Sequence, residues 1–132
     1  TNKVVKEAVK IKLGLSKELK LGNMEASRDW GHAKDYVYAM WLMLQQDKSD
    51  DFVCSTGVSH TVKDLVKYVF SSLELDWKEY VKTDARFLRS EELNFLKGDC
   101  SKAKKILKWK HKYTFETMLD EMTDYWLNKY LN

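Results

Sequence analysis

Arg28 opens the stretch most able to do chemistry in this 132-residue sequence: Arg28-Asp29-Trp30-Gly31-His32-Ala33-Lys34-Asp35. It gathers a guanidinium, two carboxylates, an imidazole and an ammonium around a glycine turn. A guanidinium is a planar, bidentate donor suited to carboxylate and phosphate. Arginine is used sparingly, since of 23 Lys and Arg residues only Arg28, Arg86 and Arg89 are arginine. The other two fall in a second cluster, Asp84-Ala85-Arg86-Phe87-Leu88-Arg89-Ser90-Glu91-Glu92. Each cluster carries an aromatic residue, Trp30 and Phe87, able to flank a base or sugar while the arginines hold phosphate. The same residues equally suit a surface ion pair, or a guanidinium packed on an aromatic face.

Other chemistries find less support. Residues 97–112 hold seven lysines with Trp109 and His111 among them, but not on one face. They suit a solvated surface better than nucleic acid. Tyr125 and Lys129 match the four-residue spacing of a tyrosine–lysine proton-transfer pair. They lie on the terminal helix with no serine partner and no cofactor fold before them, and Tyr125 reads as bordering the core. His32, His60 and His111 are scattered, and none has a second ligand type at metal-binding spacing. The five glycines never form a Gly-x-Gly-x-x-Gly loop. These residues contain no convincing catalytic constellation.

The elements that must position the arginines follow from periodicity. Val4, Val5, Ala8, Val9 and Lys12 predict a helix over residues 3–13, ended by Gly14. Residues 18–21 alternate like a short strand. Residues 36–44 are nine consecutive apolar or aromatic positions, which predicts a helix buried on all sides. Residues 52–56 read as a buried strand of a parallel sheet, stopped by Gly57. Ser59 or Thr61 can cap a helix with the stripe Val62, Leu65, Val66, Val69 and Phe70, with Leu73 beyond. Residues 75–81 look extended or irregular. Asp99 or Ser101 caps a short helix, and Thr114 caps a last one facing the core with Phe115, Met118, Leu119, Met122, Trp126 and Tyr130.

The order is helix, strand, helix, strand, helix, helical tail, which is α/β in class and α+β-like as an isolated piece. Two short strands make no stable sheet alone, so a partner domain is expected. At 44% hydrophobic and 33% charged the chain reads as one soluble domain, and a net charge of +3 forces no partner. No apolar run approaches a bilayer span and no secretory leader is seen. Cys54 and Cys100 make no disulfide framework and read as reduced and buried, which fits the cytoplasm. The chain has no proline and starts already in a helical pattern. A piece from the C-terminal part of a longer protein is expected.

Leu21-Gly22-Asn23, the block from Arg28 to Gln45, Asp51-Phe52-Val53 with Thr56-Gly57, and the run from Leu96 to Lys104 together resemble the GDP-mannose 4,6-dehydratase family of extended short-chain dehydrogenase/reductases. The resemblance covers nearly the whole chain. It implies an enzyme with an N-terminal NADP-binding Rossmann domain, absent here, and a helix-rich C-terminal region for the nucleotide sugar, spanning residues 1–132. The implied reaction oxidises C4 of GDP-mannose, eliminates water across C5 and C6, and returns the hydride to C6, on the way to GDP-fucose. It implies Arg28 and Arg89 on the diphosphate, Glu92 near the guanosine, Lys10 facing the diphosphate, and Leu21, Gly22 and Asn23 bordering the base. No catalytic residue and no metal ligand falls in this chain under that reading, and the isolated chain is expected to be inactive. A homo-oligomer, dimer or tetramer, is implied for the full-length protein, with no nucleic acid and no membrane. Ser90 and His111 stand where the family has proline, and Lys108 where it has glycine. A related nucleotide-sugar epimerase or reductase, or a non-enzymatic binding module, are the rival readings.

Overall fold

The computed structural model describes residues 1–88 and 93–132. Helix α1 (Asn2–Lys12) buries Val4, Val5, Ala8 and Val9, as their helical spacing requires. Ile11 completes the stripe, whereas Lys12 lies on the surface and pairs with Glu74 at 3.4 Å. Gly14 ends the helix at a φ of +73°. Strand β1 (Leu19–Leu21) alternates buried, exposed, buried. After β2 (Ser27–Arg28) and helix α2 (Ala33–Leu44), strand β3 (His60–Thr61) leads into α3 (Val62–Ser72). The Thr61 hydroxyl accepts from the Asp64 N–H and the Asp64 carboxylate accepts from the Thr61 N–H, closing both ends of a capping box.

Helix α3 sets Leu65, Val66, Val69 and Phe70 against α1, and α6 (Phe115–Leu131) adds Phe115, Met118 and Leu119 to the same core. Each of these fully buried side chains contributes about 1.5–3 kcal/mol of burial. Trp126 and Tyr130 pack at the margin, as expected, but Tyr125 is 56% exposed and does not border the core.

Residues 75–81 are more regular than their sequence reads. Asp76 caps the single turn α4 (Trp77–Tyr80), which runs straight into β4 (Val81–Thr83). Strand β4 pairs in parallel with β1, Leu19 opposite Val81 and Leu21 opposite Thr83. Strands β2 and β3 pair antiparallel with Arg28 opposite His60. Strands of two or three residues are too short to show a period in sequence.

A second, smaller cluster holds Ala39 of α2 with Cys100, Ala103, Leu107 and Trp109 around helix α5 (Ser101–Ile106). Three expectations are corrected here. Helix α2 is buried on one face only: Val37 is 62%, Met40 59%, Trp41 54% and Leu44 82% exposed. Residues 52–56 form no strand, because nothing among the described residues takes the backbone N–H and C=O groups of 52–55. Cys54 is half-buried, and only Cys100 is buried. Asp99 does the capping at α5 from one residue further out, its carboxylate accepting from the Ser101 N–H at 2.9 Å.

Candidate functional site

Residues 21–28 carry both ends of the second arginine cluster. The Leu21 carbonyl accepts from the Asp84 N–H at 2.8 Å. Gly22 lies so close to the Phe87 carbonyl that a Cβ there would overlap it. On the far side, Ser27 N–H donates to the Asn94 carbonyl at 2.7 Å and Leu96 N–H donates to the Ser27 carbonyl at 3.1 Å. Arg28 closes this side, Nη1 donating to the Leu93 carbonyl at 2.6 Å and to the Ser27 carbonyl at 2.7 Å. The segments before and after residues 89–92 are therefore fastened to Leu21, Gly22 and Arg28. Arg89 and Glu92 themselves lie outside the described residues.

Asp29 fixes the loop that presents Arg28. One carboxylate oxygen accepts from the Thr56 N–H at 2.9 Å and the Thr56 hydroxyl at 2.6 Å. The other accepts from the Gly57 N–H at 2.9 Å and the Gly98 N–H at 3.2 Å. Burial pushes this carboxyl upward, but the hydrogen bonds from Thr56, Gly57 and Gly98 outweigh it and hold it below the usual carboxylate range. Two separate chain segments, Thr56–Gly57 and Gly98, thus converge on one anion. Gly31 fits closely next to it, since a Cβ would meet the Tyr36 hydroxyl and ring, which would have to shift.

The entrance to α2 is tied to the C-terminal third. His32 caps the helix, Nδ1 accepting from the Lys34 N–H at 3.0 Å, and its ring stacks on Tyr113 at 3.9 Å. Its Nε2 lies 3.4 Å from Glu121, which also pairs with Lys34 at 2.7 Å. Lys34 and His32 hold the Glu121 carboxyl below its ordinary value. Asp35 is buried, its carboxylate accepting from the Lys112 and Tyr113 N–H groups at 3.0 and 3.1 Å. Its carbonyl accepts from the buried Trp109 indole at 2.9 Å. The anchoring roles of Asp29 and Asp35 were not read from the sequence. An acid heading an otherwise apolar run was the available signal for Asp35, because a buried carboxylate needs donors.

The remaining predicted residues are placed less centrally. Asn23 follows Gly22 and its side-chain oxygen accepts from the Glu25 N–H at 2.9 Å. Lys10 sits on α1 paired with Glu7 at 3.6 Å, and makes no hydrogen bond or ion pair with the other site residues among those described. Arg86 is committed to Asp84 through a bidentate pair, Nη2 to Oδ2 at 2.7 Å, which holds the Asp84 carboxyl down at about 2. Phe87 lies beneath the Lys3 ammonium, and Trp30 stacks on Phe115 at 5.8 Å. A cleft beside the Arg28 loop is walled by Trp30, His60, His111, Tyr113 and Phe115. Among the described residues no cluster of acids, histidines and cysteines could hold a metal ion, and no helix is long and apolar enough to cross a membrane.

The family model described as GDP-mannose 4,6 dehydratase matches residues 1–122. GDP-mannose 4,6 dehydratase 1 of Arabidopsis thaliana is 51% identical over 124 residues, covering 94% of this chain and 34% of that protein. The human GDP-mannose 4,6 dehydratase is 41% identical over 139 residues, covering 92% of this chain and 37% of that protein. The chain spans about a third of the length of the curated relatives it matches. Among solved structures, RMD from Pseudomonas aeruginosa complexed with NADPH shares the fold with a TM-score of 0.87 at 17% identity, over 97% of this chain and 42% of that one. The dTDP-glucose 4,6-dehydratase of Bacillus anthracis in complex with NAD does so with a TM-score of 0.77 at 24% identity, over 96% and 39%. The helix-rich fold with few short strands expected from the sequence is the one observed, and it is shared with part of each of these two proteins.

Proposed function

This chain belongs to the GDP-mannose 4,6-dehydratase family, and from that premise we propose that it is the nucleotide-sugar-binding region of such an enzyme. The complete enzyme is a lyase that turns GDP-mannose into GDP-4-keto-6-deoxymannose. NADP takes the hydride from C4 and gives it back at C6. The glycines of this chain are not spaced to cradle a dinucleotide, so NADP would be held by polypeptide outside it. No catalytic step is assigned to these residues.

Their part is binding and orientation. Arg28 and Arg89 neutralise the diphosphate from two loops, Glu92 hydrogen-bonds the guanosine, and Leu21, Gly22 and Asn23 border the base, with Lys10 adding charge from α1. Fixing the diphosphate at two points sets where the sugar ring lies relative to the nicotinamide, which lowers the entropy cost of the reaction. The observation that carries this reading is the fastening of both segments around residues 89–92 to Leu21, Gly22 and Arg28. It fastens the described chain on either side of residues 89–92 to the stretch that carries Arg28. The working form is a cytoplasmic homo-oligomer.

Calorimetric titration with GDP-mannose tests it. Arg89→Ala weakens binding by at least about tenfold, the worth of one charge-assisted pair, without changing the melting temperature. Binding unaffected by both Arg89→Ala and Arg28→Ala overturns the assignment. Turnover of GDP-mannose with NADP by this chain alone would overturn the division of labour.

A further inference from the structure

Neither Cys54 nor Cys100 belongs to the proposed substrate site, yet the fold lays their segments side by side. Lys102 rests on residues 50–52. Its ammonium pairs with the Asp50 carboxylate at 2.7 Å, donates to the Asp51 carbonyl at 2.9 Å and sits over the Phe52 ring at 5.0 Å. Four residues earlier, Gly98 lies so close to the Ser55 side chain that a Cβ there would overlap it. Residues 98–102 therefore run alongside residues 51–55 in the opposite direction. Cys100 is the midpoint of the first run, and Cys54 lies within the second.

The two side chains also share one interior. Val53 and Ser55 face Gly98, whereas Phe52 and Cys54, the alternate residues of this extended stretch, pack on the cluster that holds Cys100, Ala103 and Leu107. Cys100 is buried and Cys54 half-buried, so Cys54 is the thiol that a reagent in solution reaches first. Burial, and then the neighbouring Cys100, push the Cys54 thiol above its ordinary value. Its thiolate is scarce at neutral pH, and its first reaction is slow. Two cysteines make no structural framework, and a pair of this kind in a reducing compartment is transient and redox-sensing.

We propose that Cys54 and Cys100 are a redox-modification site, forming a reversible disulfide within the chain by exchange with a low-molecular-weight disulfide such as oxidised glutathione. The Cys54 thiolate attacks one sulfur of the small disulfide, forms a mixed disulfide and expels one thiolate. The Cys100 sulfur then loses its proton and attacks the Cys54 sulfur, which expels the second small thiolate. Two cysteines are oxidised, one small disulfide is reduced to two thiols, and these take up the two protons released. The bond joins a residue two positions before Thr56 to one two positions after Gly98. Those are the segments whose N–H groups hold Asp29, so oxidation fastens covalently the clamp beside Arg28. The site depends on packing within this chain and not on which nucleotide sugar it binds.

The test exposes the folded 132-residue chain to excess oxidised glutathione at about pH 8, where thiolate is more plentiful, then alkylates it in denaturant and weighs it. The oxidised chain takes up two alkyl groups fewer than the reduced chain and retains no glutathione. Its digest contains one linked pair of peptides, carrying Cys54 and Cys100, and dithiothreitol reverses all of this. Its melting temperature rises by at least about 5 °C, since the bond closes a long loop. Amide exchange at Thr56, Gly57 and Gly98 slows by about tenfold. Cys100→Ser retains glutathione on Cys54, because the resolving thiol is gone. Cys54→Ser takes up none over the same time, because Cys100 is buried. Glutathione retained on Cys54 of the parent chain overturns the pairing, as does a disulfide between two copies. Two thiols still free after prolonged exposure, or a lowered melting temperature on oxidation, overturn it as well.

Discussion

The Arg28 guanidinium donates to the Leu93 carbonyl at 2.6 Å, across 65 residues of sequence. The residue proposed to hold phosphate thus also holds backbone, at Leu93 just after residues 89–92. On that proposal one arginine would both contribute charge and fasten the chain that follows the second cluster. Arg28→Lys keeps the charge but loses the planar fork. It weakens GDP-mannose binding by about tenfold or more, as much as the loss of the Arg89 contact. Calorimetry on Arg28→Lys and Arg89→Ala side by side checks this, and a binding constant for Arg28→Lys equal to that of the parent would contradict it.

Asp29 predicts a pH dependence of stability. Its carboxyl is lower in the folded state than in the unfolded one. The stability it contributes is therefore full above the ordinary carboxylate range near pH 4, and is lost as pH falls through the depressed folded value. Asp29→Ala leaves the Thr56, Gly57 and Gly98 donors without their acceptor and costs about 2–4 kcal/mol near neutral pH. Urea unfolding of both proteins at several pH values reads this out, and the difference between them narrows at acid pH.

Gly31 accepts a side chain only if the Tyr36 ring moves. Gly31→Ala pushes a methyl into both the Tyr36 hydroxyl and its ring carbon, and costs about 1–3 kcal/mol. Tyr36→Phe removes only the oxygen and does not restore stability, whereas Tyr36→Leu recovers part of it. Thermal melts of the three variants distinguish these outcomes.

Lys108 follows α5 with a φ of +53°, in the left-handed region. The turn returns the Trp109 N–H toward the Ala103 carbonyl at 3.4 Å and delivers the indole to Asp35. Glycine takes this conformation without the steric cost a lysine Cβ brings. Lys108→Gly stabilises the chain by about 1 kcal/mol. A melting temperature unchanged or lowered would contradict the strain.

Much of this was legible in the residues. Helices α1, α3 and α6 were readable because their buried positions recur at helical spacing and their ends carry Gly14, Thr61 and Thr114. Strands β2, β3 and β4 were not, because their partners lie far along the chain and no period develops in so few residues. The stretch 36–44 gave the right element and the wrong surroundings: its pattern reads as buried on all sides, whereas Val37, Met40, Trp41 and Leu44 are exposed. At the site, the arginine economy pointed to the Arg28 loop and to the cluster of Arg86 and Arg89. It did not show that Arg86 is spent on Asp84, nor that Asp29 binds the loops together. Those facts depend on which donors folding brings near, and composition does not encode that.

The packing of α1 on α6 sets the order in which the chain can fold. The Asn2 side chain accepts from the Trp126 indole at 2.9 Å, across 124 residues. Closing so long a loop carries an entropy cost that shorter-range contacts can meet first. Helix α6 is made after α1, β1 and α3. Until then Val4, Val5 and Val9 have only α3 and β1 among the described elements to cover them, so α1 shows part of its apolar face until α6 docks. A chaperone that covers α1 until α6 docks therefore reduces aggregation of the folding chain.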